Sequence, residues 1–372
     1  MNIIPYDRLK PYNQLPPLPE PEGVIDHEVL IAWGHASRAL AEFSKNMLRL
    51  PNPTMLINTL SIQEAKSSSE IENIFTTEDE LYKAISDTVR EENANPATKE
   101  VLRYREALWT GHKDINEKGL VDEKSIVSIF QKIKGTNEGI RPPQSQVVIK
   151  RGQSEFRSGE VVYTPPRGKG IVEDKMSNLL SYLNDGKTYT TDPLLKMAIA
   201  HYQFEAIHPF TDGNGRTGRI LNLLYLVQQG LIPQPVLCLS KYIIENKDDY
   251  YYNMGAVSER GAWKNWVIYM MKAVEQTSKH SNRMIDEIID QMQATLEYGQ
   301  AELKWYSKEI NETLFTQPYL KPKAIGETLG RTSRTTLTKY MSELTRLKIL
   351  TPKQDKKEVF YINSDLMRIL GS

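Results

Sequence analysis

The chain has 372 residues, 40% of them hydrophobic and 25% charged, a composition that buries a proper core and excludes wholesale disorder, at a length that points to two or three domains. Lys+Arg and Asp+Glu tie at 47 each, so no chain-wide field steers it to nucleic acid or an anionic membrane, and any basic surface must be local. One cysteine, Cys238, excludes an intramolecular disulfide and a cysteine-rich zinc site; with no leader-like start and no membrane-length apolar run, the expectation is a cytoplasmic protein with no membrane partner.

In chain order, the proline-rich stretch over 11–23 disfavours helix and central strand and predicts an extended arm. Apolar residues at helical spacing from Glu28 to Leu48 (Leu30, Ile31, Trp33, Leu40, Phe43, Met47) predict one amphipathic helix, ended by Pro51 and Pro53. Further helices are expected at about 56–72, 78–90, 96–117, 122–134, 171–184, 191–207, 216–229, 248–258, 261–277 and 279–310, so the fold is mainly α. Residues 139–166 break the pattern with two β-branched runs, Gln146–Lys150 and Glu160–Thr164, and predict a β-hairpin that must lie on something to be stable. The last sixty or so residues read as helix, turn, helix and two short strands. Eleven Lys/Arg stand there against five Asp/Glu from Phe315 onward, and Ile325, Leu329, Leu337, Tyr340, Leu344 and Leu347 supply a small core. That is the pattern of a winged helix-turn-helix, a shape that reads DNA and also docks proteins.

The stretch HYQFEAIHPFTDGNGRTGR, 201–219, makes poor scaffolding and good chemistry. Pro209 stops the preceding helix and presents His208 at its end. Gly213 and Gly215 give the loop backbone shapes closed to other residues, and Arg216 and Arg219 then share the first turn of the next helix, where positive charge opposes the dipole unless an anion is present. Amides 213–216 therefore predict a phosphate cradle with two guanidiniums reaching for oxygens. Asp212 is a hard oxygen ligand suited to Mg2+ against a polyphosphate, and His208 is a base for a hydroxyl proton, so transfer of a phosphorus group is expected. A competing di-iron reading of His201, Glu205 and His208 lacks the second Glu-x-x-His it needs.

HPFTDGNGRTGR matches in full the H-P-F-x-[D/E]-G-N-G-R-x-x-R signature of the Fic family, which the chain resembles over most of its length. The arm and following helices resemble the N-terminal region of many bacterial Fic proteins, the 139–166 hairpin their target-docking flap, and the tail a winged helix often fused to them. The resemblance implies transfer of AMP from ATP to a Ser, Thr or Tyr hydroxyl of a protein, itself included, with related donors (phosphocholine, UMP or phosphate) as variants. Position by position it implies His208 as general base, Asp212 on Mg2+, and Asn214 with the Gly213, Gly215 and Arg216 amides gripping the α- and β-phosphates. Arg216 would then take the β-phosphate, Arg219 the γ-phosphate, with Phe210 anchoring the loop. Val147, Val148, Ile149 and Lys150 would line the nucleotide and pin a target segment, and Tyr251 and Tyr252 resemble adenine-side tyrosines. Lys150 stands where many relatives have glycine, which bears on target fit.

KSSSEIENI carries Ser68-x-x-x-Glu72-Asn73, which matches the family's inhibitory motif. Ser68 and Glu72 lie one helical turn apart, and a Glu72–Arg219 pair would occupy the guanidinium that the γ-phosphate needs. The expected division is an N-terminal arm and inhibitory helical region over 1–110, a catalytic core over 111–280 with the flap at 139–166, a connecting helix over 281–312 and a winged helix domain over 313–372. The expected partners are ATP, a target protein, a second copy in a homodimer and, on the alternative reading as a transcriptional regulator with a nucleotide-sensing core, DNA through 321–361.

Overall fold

The computed structural model describes residues 6–52, 54–86, 93–151, 159–330, 333–355 and 358–371. The connection of the expected hairpin at 152–158, the end of the helix expected over 78–90 beyond 86, and the turn residues 331–332 lie outside the described residues. The body is a stack of helices: α1 (His27–Met47), α2 (Thr54–Ile71), α3 (Glu78–Ile85), α4 (Pro96–Lys118), α5 (Glu123–Lys134), α6 (Ile171–Asn184), α7 (Pro193–Ile207), α8 (Asn214–Gln228), α9 (Leu239–Glu245), α10 (Lys247–Arg260) and α11 (Trp263–Glu302). Side-chain caps set several starts: Asp26 accepts from the Val29 amide, Asn95 from Thr98 and Asp122 from Ser125. Glycines in the left-handed region end α4 and α5 at Gly119 and Gly135. At the centre, α7 and α8 are buried on nearly every side, so their apolar residues do not form a stripe.

The proline-rich arm is not loose. Leu15 and Leu18 are buried, and Asn178 of α6 brackets Leu18 by accepting from its N–H at 2.8 Å and donating to its carbonyl at 3.0 Å. Gln203 of α7 donates to the Pro16 carbonyl. The backbone groups that proline-rich sequence cannot pair internally thus find side-chain partners.

Two expected helices, 261–277 and 279–310, are one. α11 runs unbroken for 40 residues and stops at Glu302. The polar run around 277–283 suggests a break, but Thr277, Ser278 and Ser281 are buried, and α11 lies beside α1 in parallel there. Lys264 meets Asp26 and Glu28 at 2.8 Å at one end, and Arg49 meets Asp286 at 2.6 Å at the other. The Thr277 hydroxyl is satisfied within its own helix by donating to the Ala273 carbonyl. The segment 281–312 is therefore the second half of α11, a break over 303–307 and part of α12 (Lys308–Leu314).

The hairpin is present but shorter than its apolar runs. β1 (Ile149–Arg151) and β2 (Glu160–Tyr163) pair antiparallel, with Lys150 opposite Val161 and an irregularity between Ile149 and Lys150. Val147 and Val148 fall outside the strand, and Val148 is exposed. β2 is held down by the arm, since the Tyr12 N–H donates to the Thr164 carbonyl and the Tyr6 hydroxyl to that of Val162.

The C-terminal segment comprises β3 (Tyr319–Leu320), α13 (Pro322–Thr328), α14 (Arg334–Arg346), β4 (Thr351–Asp355), β5 (Glu358–Ile362) and α15 (Ser364–Leu370). Its sheet has the order β3-β5-β4, all antiparallel. α9, β3 and α15 are elements that periodicity does not reveal, being seven, two and seven residues long. Of the expected small core, Ile325, Leu344 and Leu347 are buried whereas Leu329, Leu337 and Tyr340 are only partly so; Phe360, Leu320 and Leu366 complete it. The segment docks on α3, where Asp79 receives the Lys353 ammonium at 2.6 Å and the Tyr319 hydroxyl, while Tyr319 stacks on Tyr82. No described helix is long and apolar enough to cross a membrane.

The buried face of α11 yields a test. Ser281→Leu overfills a position with no room and is expected to lower stability by about 1–3 kcal/mol, whereas Lys279→Leu, exposed on the same helix, changes it little; thermal unfolding of the two variants against the parent measures the difference.

Candidate active site

α7 ends where proline dictates, at His208, but His208 is left-handed (φ 51°, ψ 61°) rather than extended. Its N–H closes the helix on the Phe204 carbonyl at 2.9 Å. A non-glycine residue in that region costs roughly 1–2 kcal/mol and needs support. Arg141, just before the hairpin, supplies it: Nε donates to the His208 carbonyl at 2.8 Å, Nη2 reaches the Ile207 carbonyl, and its N–H donates to Pro209. The Tyr163 hydroxyl donates to Ala206 at 2.9 Å, so both limbs of the hairpin are tied to the turn that carries His208. His208 Nδ1 lies 3.3 Å from the Glu205 carbonyl, which can only accept, so the proton resides on Nδ1 and the Nε2 lone pair is free. Burial pushes the imidazole pKa down to about 4, and the ring is neutral at pH 7.

The loop after His208 is rigid. Phe210 is fully buried and stacks on Phe130 of α5 with centroids 4.0 Å apart and planes at 4°. Asn214 spends its side chain on the same residue, accepting from the Phe210 N–H at 2.8 Å and donating to its carbonyl at 2.9 Å. Its amide thus clamps the loop, where the resemblance implied a phosphate grip. α8 begins at Asn214, two residues earlier than its periodicity suggests. Its cap, Gly213, makes no side-chain hydrogen bond, so no cap side chain occupies the first-turn N–H groups at the positive end of the helix dipole.

Both arginines of α8 are nearly inaccessible and both are paired. Arg216 reaches Glu100 of α4 at 2.5 Å. Arg219 donates through Nε to the Ser68 hydroxyl at 2.8 Å, and through Nη2 to the Ser68 carbonyl and to Glu72 Oε1, each at 2.9 Å. Burial alone would lower the Arg219 pKa, but the Glu72 carboxylate outweighs it and holds the group above its usual range. Gly215 is what permits the approach: a Cβ there would lie 2.4 Å from Glu72 Oε1 and 2.9 Å from Arg219 Nη1. The sequence-expected pair is therefore formed, with Ser68 contributing twice. Asn73, just past α2, is left-handed at φ 62° and turns the chain away.

A cavity of about 1390 Å³ opens beside these groups. Glu72, Asn73, Ile149, Lys150, His208, Gly215, Arg219 and Tyr251 line it, which brings together residues from 72 to 251 of the chain. Ser68, Val147, Val148, Asp212, Gly213, Asn214 and Arg216 are not on its wall. Asp212 is instead turned to α5, where Lys134 meets Oδ2 at 2.5 Å. Tyr252 also lines the cavity, where it is exposed and bonded to Arg260. Among the described residues no group of three or more His, Cys, Asp and Glu side chains could hold a metal ion; His201 hydrogen-bonds the Tyr250 hydroxyl at 2.8 Å.

Several residues escape sequence reasoning. Glu64 is buried on α2, accepting from the Tyr104 hydroxyl of α4 and from the N–H and hydroxyl of Ser240 on α9. Positions 64, 68 and 72 share one helix face, and that periodicity is the signal that would have found it. Arg141, Glu100 and Lys134 act across long chain separations and leave no local pattern. Glu205 is buried on the cavity wall with Oε1 unpartnered among the described residues, and burial pushes its pKa up to about 8.

The description Fic/DOC family N-terminal matches residues 30–113, Fic/DOC family matches 125–226, and protein adenylyltransferase SoFic-like, C-terminal domain, matches 287–366. The chain belongs to the Fic/DOC family. Protein adenylyltransferase fic-1 of Caenorhabditis elegans is 31% identical over 156 residues, 41% of this chain and 28% of that protein. A probable protein adenylyltransferase of Aquifex aeolicus is 30% identical over 190 residues, 50% of this chain and 54% of that one. The chain thus spans less than a third of the nematode relative and about half of the bacterial one. Among solved structures, a Fic family protein from Desulfovibrio desulfuricans G20 aligns with a TM-score of 0.51 at 20% identity over 93% of this chain and 98% of that one. Fic-1 from Caenorhabditis elegans aligns with a TM-score of 0.51 at 22% identity over 72% and 75%. At these identities the likeness is one of fold.

Glu205 gives a pH prediction. Folded Glu205 keeps its proton up to about 8, while in the unfolded chain it ionises above the usual carboxylate value near 4.5, so its ionisation favours unfolding across that window. Glu205→Gln is expected to stabilise the fold by an amount that grows as pH rises from about 4.5 to 8; a melting-temperature difference flat with pH would contradict this.

Proposed function

We propose that the chain is a self-inhibited protein adenylyltransferase that moves AMP from ATP to a Ser, Thr or Tyr hydroxyl of a protein, itself included. The observation that carries the reading is the pairing of Arg219 with Glu72 and Ser68 on the wall of the cavity that His208 also lines. A buried guanidinium that cannot lose its proton needs an anion, and the triphosphate and Glu72 compete for the same donor.

In the transfer, the attacking hydroxyl oxygen forms a bond to the α-phosphorus and the bond from that phosphorus to the pyrophosphate oxygen breaks. The hydroxyl proton passes to His208 Nε2, whose neutral state persists to about pH 4. The first-turn amides of α8 meet the charge of the phosphates, Arg216 and Arg219 reach the β- and γ-phosphates, and Tyr251 lies on the adenine side. Ile149 and Lys150, with Val147 and Val148 beside them, offer β1 as an edge for the target segment. Asp212 is a hard oxygen donor with a side chain 68% exposed, which fits Mg2+ held by one carboxylate and the nucleotide's own phosphate oxygens; bound there, the ion neutralises phosphate charge. Phe210, Asn214 and Arg141 hold the loop in place. Ser68, Glu72 and Asn73 form the inhibitory element. On this reading residues 1–110 are the arm and inhibitory region, 111–280 the catalytic core and 313–372 a winged helix, in a cytoplasmic protein able to pair as a homodimer.

Intact mass after incubation with ATP and Mg2+ tests it. Glu72→Gly is expected to gain an AMP adduct at least about tenfold faster than the parent, and Glu72→Gly/His208→Ala to gain none. An unchanged rate in Glu72→Gly would sink the inhibition, and a phosphate-mass adduct the adenylyl transfer.

A second reading, DNA contact by the C-terminal segment, is favoured by α14, whose Arg334, Thr335, Thr338 and Lys339 are exposed. Binding of duplex DNA by fluorescence anisotropy should weaken about tenfold in Arg334→Ala/Lys339→Ala and become less salt-dependent. Equal binding by parent and variant would remove it.

A further inference from the structure

Asp212 has both carboxylate oxygens engaged: Oδ1 accepts the Gly213 N–H at 2.7 Å, and Oδ2 holds the Lys134 ammonium at 2.5 Å. Lys134 is the last residue of α5, one turn after Phe130, the residue stacked on Phe210 of the same loop. Two contacts four residues apart on one helix face therefore fix α5 against both ends of the turn. The lysine stem lies across Gly213, where a Cβ would sit 3.2 Å from its Cδ and 3.4 Å from its Cγ, and φ is +79°. Glycine at 213 thus serves two ends, the left-handed cap of α8 and the seat for this side chain. The pair faces solvent, with Lys134 28% and Asp212 68% exposed. Burial alone would raise the Asp212 pKa, and the lysine outweighs it, keeping the carboxylate ionised.

We infer that Lys134 is a further residue of the nucleotide site: it occupies the Asp212 oxygen in the resting protein, yields that oxygen to a divalent cation when nucleotide enters, and then lends its charge to the phosphates. The inference rests on the nucleotide reading above and deepens it. The first part follows from competition for one oxygen: a divalent cation binds a carboxylate oxygen at about 2.0–2.1 Å for Mg2+, and the ammonium at 2.5 Å draws on the charge of that same oxygen. The second part follows from the anchored stem. With its Cγ and Cδ beside Gly213, the stem keeps the ammonium next to the loop whose amides head α8, where a helix N-terminus favours phosphate. Lys134 is then a positioning residue with two opposed effects, one against the metal and one in favour of the triphosphate.

The 372-residue Glu72→Gly/His208→Ala chain, chosen to bind without turnover, is the background for the test, with ATP binding followed calorimetrically across a Mg2+ titration. Lys134→Met, which keeps the stem and drops the charge, is expected to lower the Mg2+ concentration for half-maximal ATP binding about fivefold, and to weaken ATP binding at saturating Mg2+ by a similar factor. Lys134→Arg should remain near the background protein. Lys132→Met, the loss of an exposed charge on the same helix, should move neither quantity. Lys134→Gln repeats the measurement should the methionine variant fold poorly. Unchanged values in the lysine-134 variants, both affinities weakened together, or the same shifts in Lys132→Met would each overturn the inference. A background protein that binds no ATP at any Mg2+ concentration would overturn the nucleotide reading itself, and is distinguished by the absence of any binding to modulate.

Discussion

A guanidinium with 2% of its side chain exposed, fixed in the middle of a helical body, is the constraint around which the rest of this protein is arranged. Arginine keeps its proton, so Arg219 must find anionic and carbonyl acceptors wherever the fold leaves it. It finds them on α2, which has to run alongside α8 for Ser68 and Glu72 to reach. That demand propagates. Position 215 must lack a side chain for the carboxylate to fit, and α2 must be held in rotation. Glu64 does this two turns earlier by bonding Tyr104 on one side and Ser240 on the other. A buried carboxylate is a poor way to add net stability but an effective way to fix register, because any slip leaves it unpaired.

The same economy recurs around the loop. Arg216, Arg219 and Asp212 carry the charges that the family signature places side by side, and each is neutralised by a residue from a different upstream stretch: Glu100 on α4, Glu72 just past α2 and Lys134 on α5. The loop is thus electrically balanced by its own chain, and its shape is held by uncharged contacts. Phe210 on Phe130 and Asn214 on the Phe210 backbone keep the turn in place whatever occupies the charged groups. Separation of shape from charge lets the polar partners exchange without the loop collapsing.

What the sequence reveals follows from how local the cause is. Proline after His208, the glycines of the loop and the one-turn spacing of Ser68 and Glu72 are near-neighbour effects, and each has its structural counterpart. Boundaries fail where burial overrides polarity: the expected break at Ser278 falls inside α11, where Ser278 is fully buried. The hairpin runs overreach because a β-branched residue says nothing about whether a partner strand extends opposite it, and Val147 and Val148 have none among the described strands. The partners of Arg216 and Asp212 lie 116 and 78 positions away. No spacing rule covers such distances, so Glu100 and Lys134 emerge only once the chain is folded.

The docking of the C-terminal segment on α3 has a bearing on how the chain divides. Tyr82 of α3 is 1% exposed and stacks on Tyr319, and the Asp79 carboxylate, whose pKa is held down to about 2, draws on Lys353 from β4. Burial works against that ionisation, so the cations must prevail. α3 is in turn tied to α2 by Glu78 and Lys66 at 3.3 Å and to α4 by Asn95 and Glu80 at 2.8 Å. Residues far apart in the chain therefore share one hydrophobic contact and one cluster of charges. A cut made between the helical body and its tail would open a wound in the first hundred residues, exposing an aromatic face beside the helix that holds Arg219.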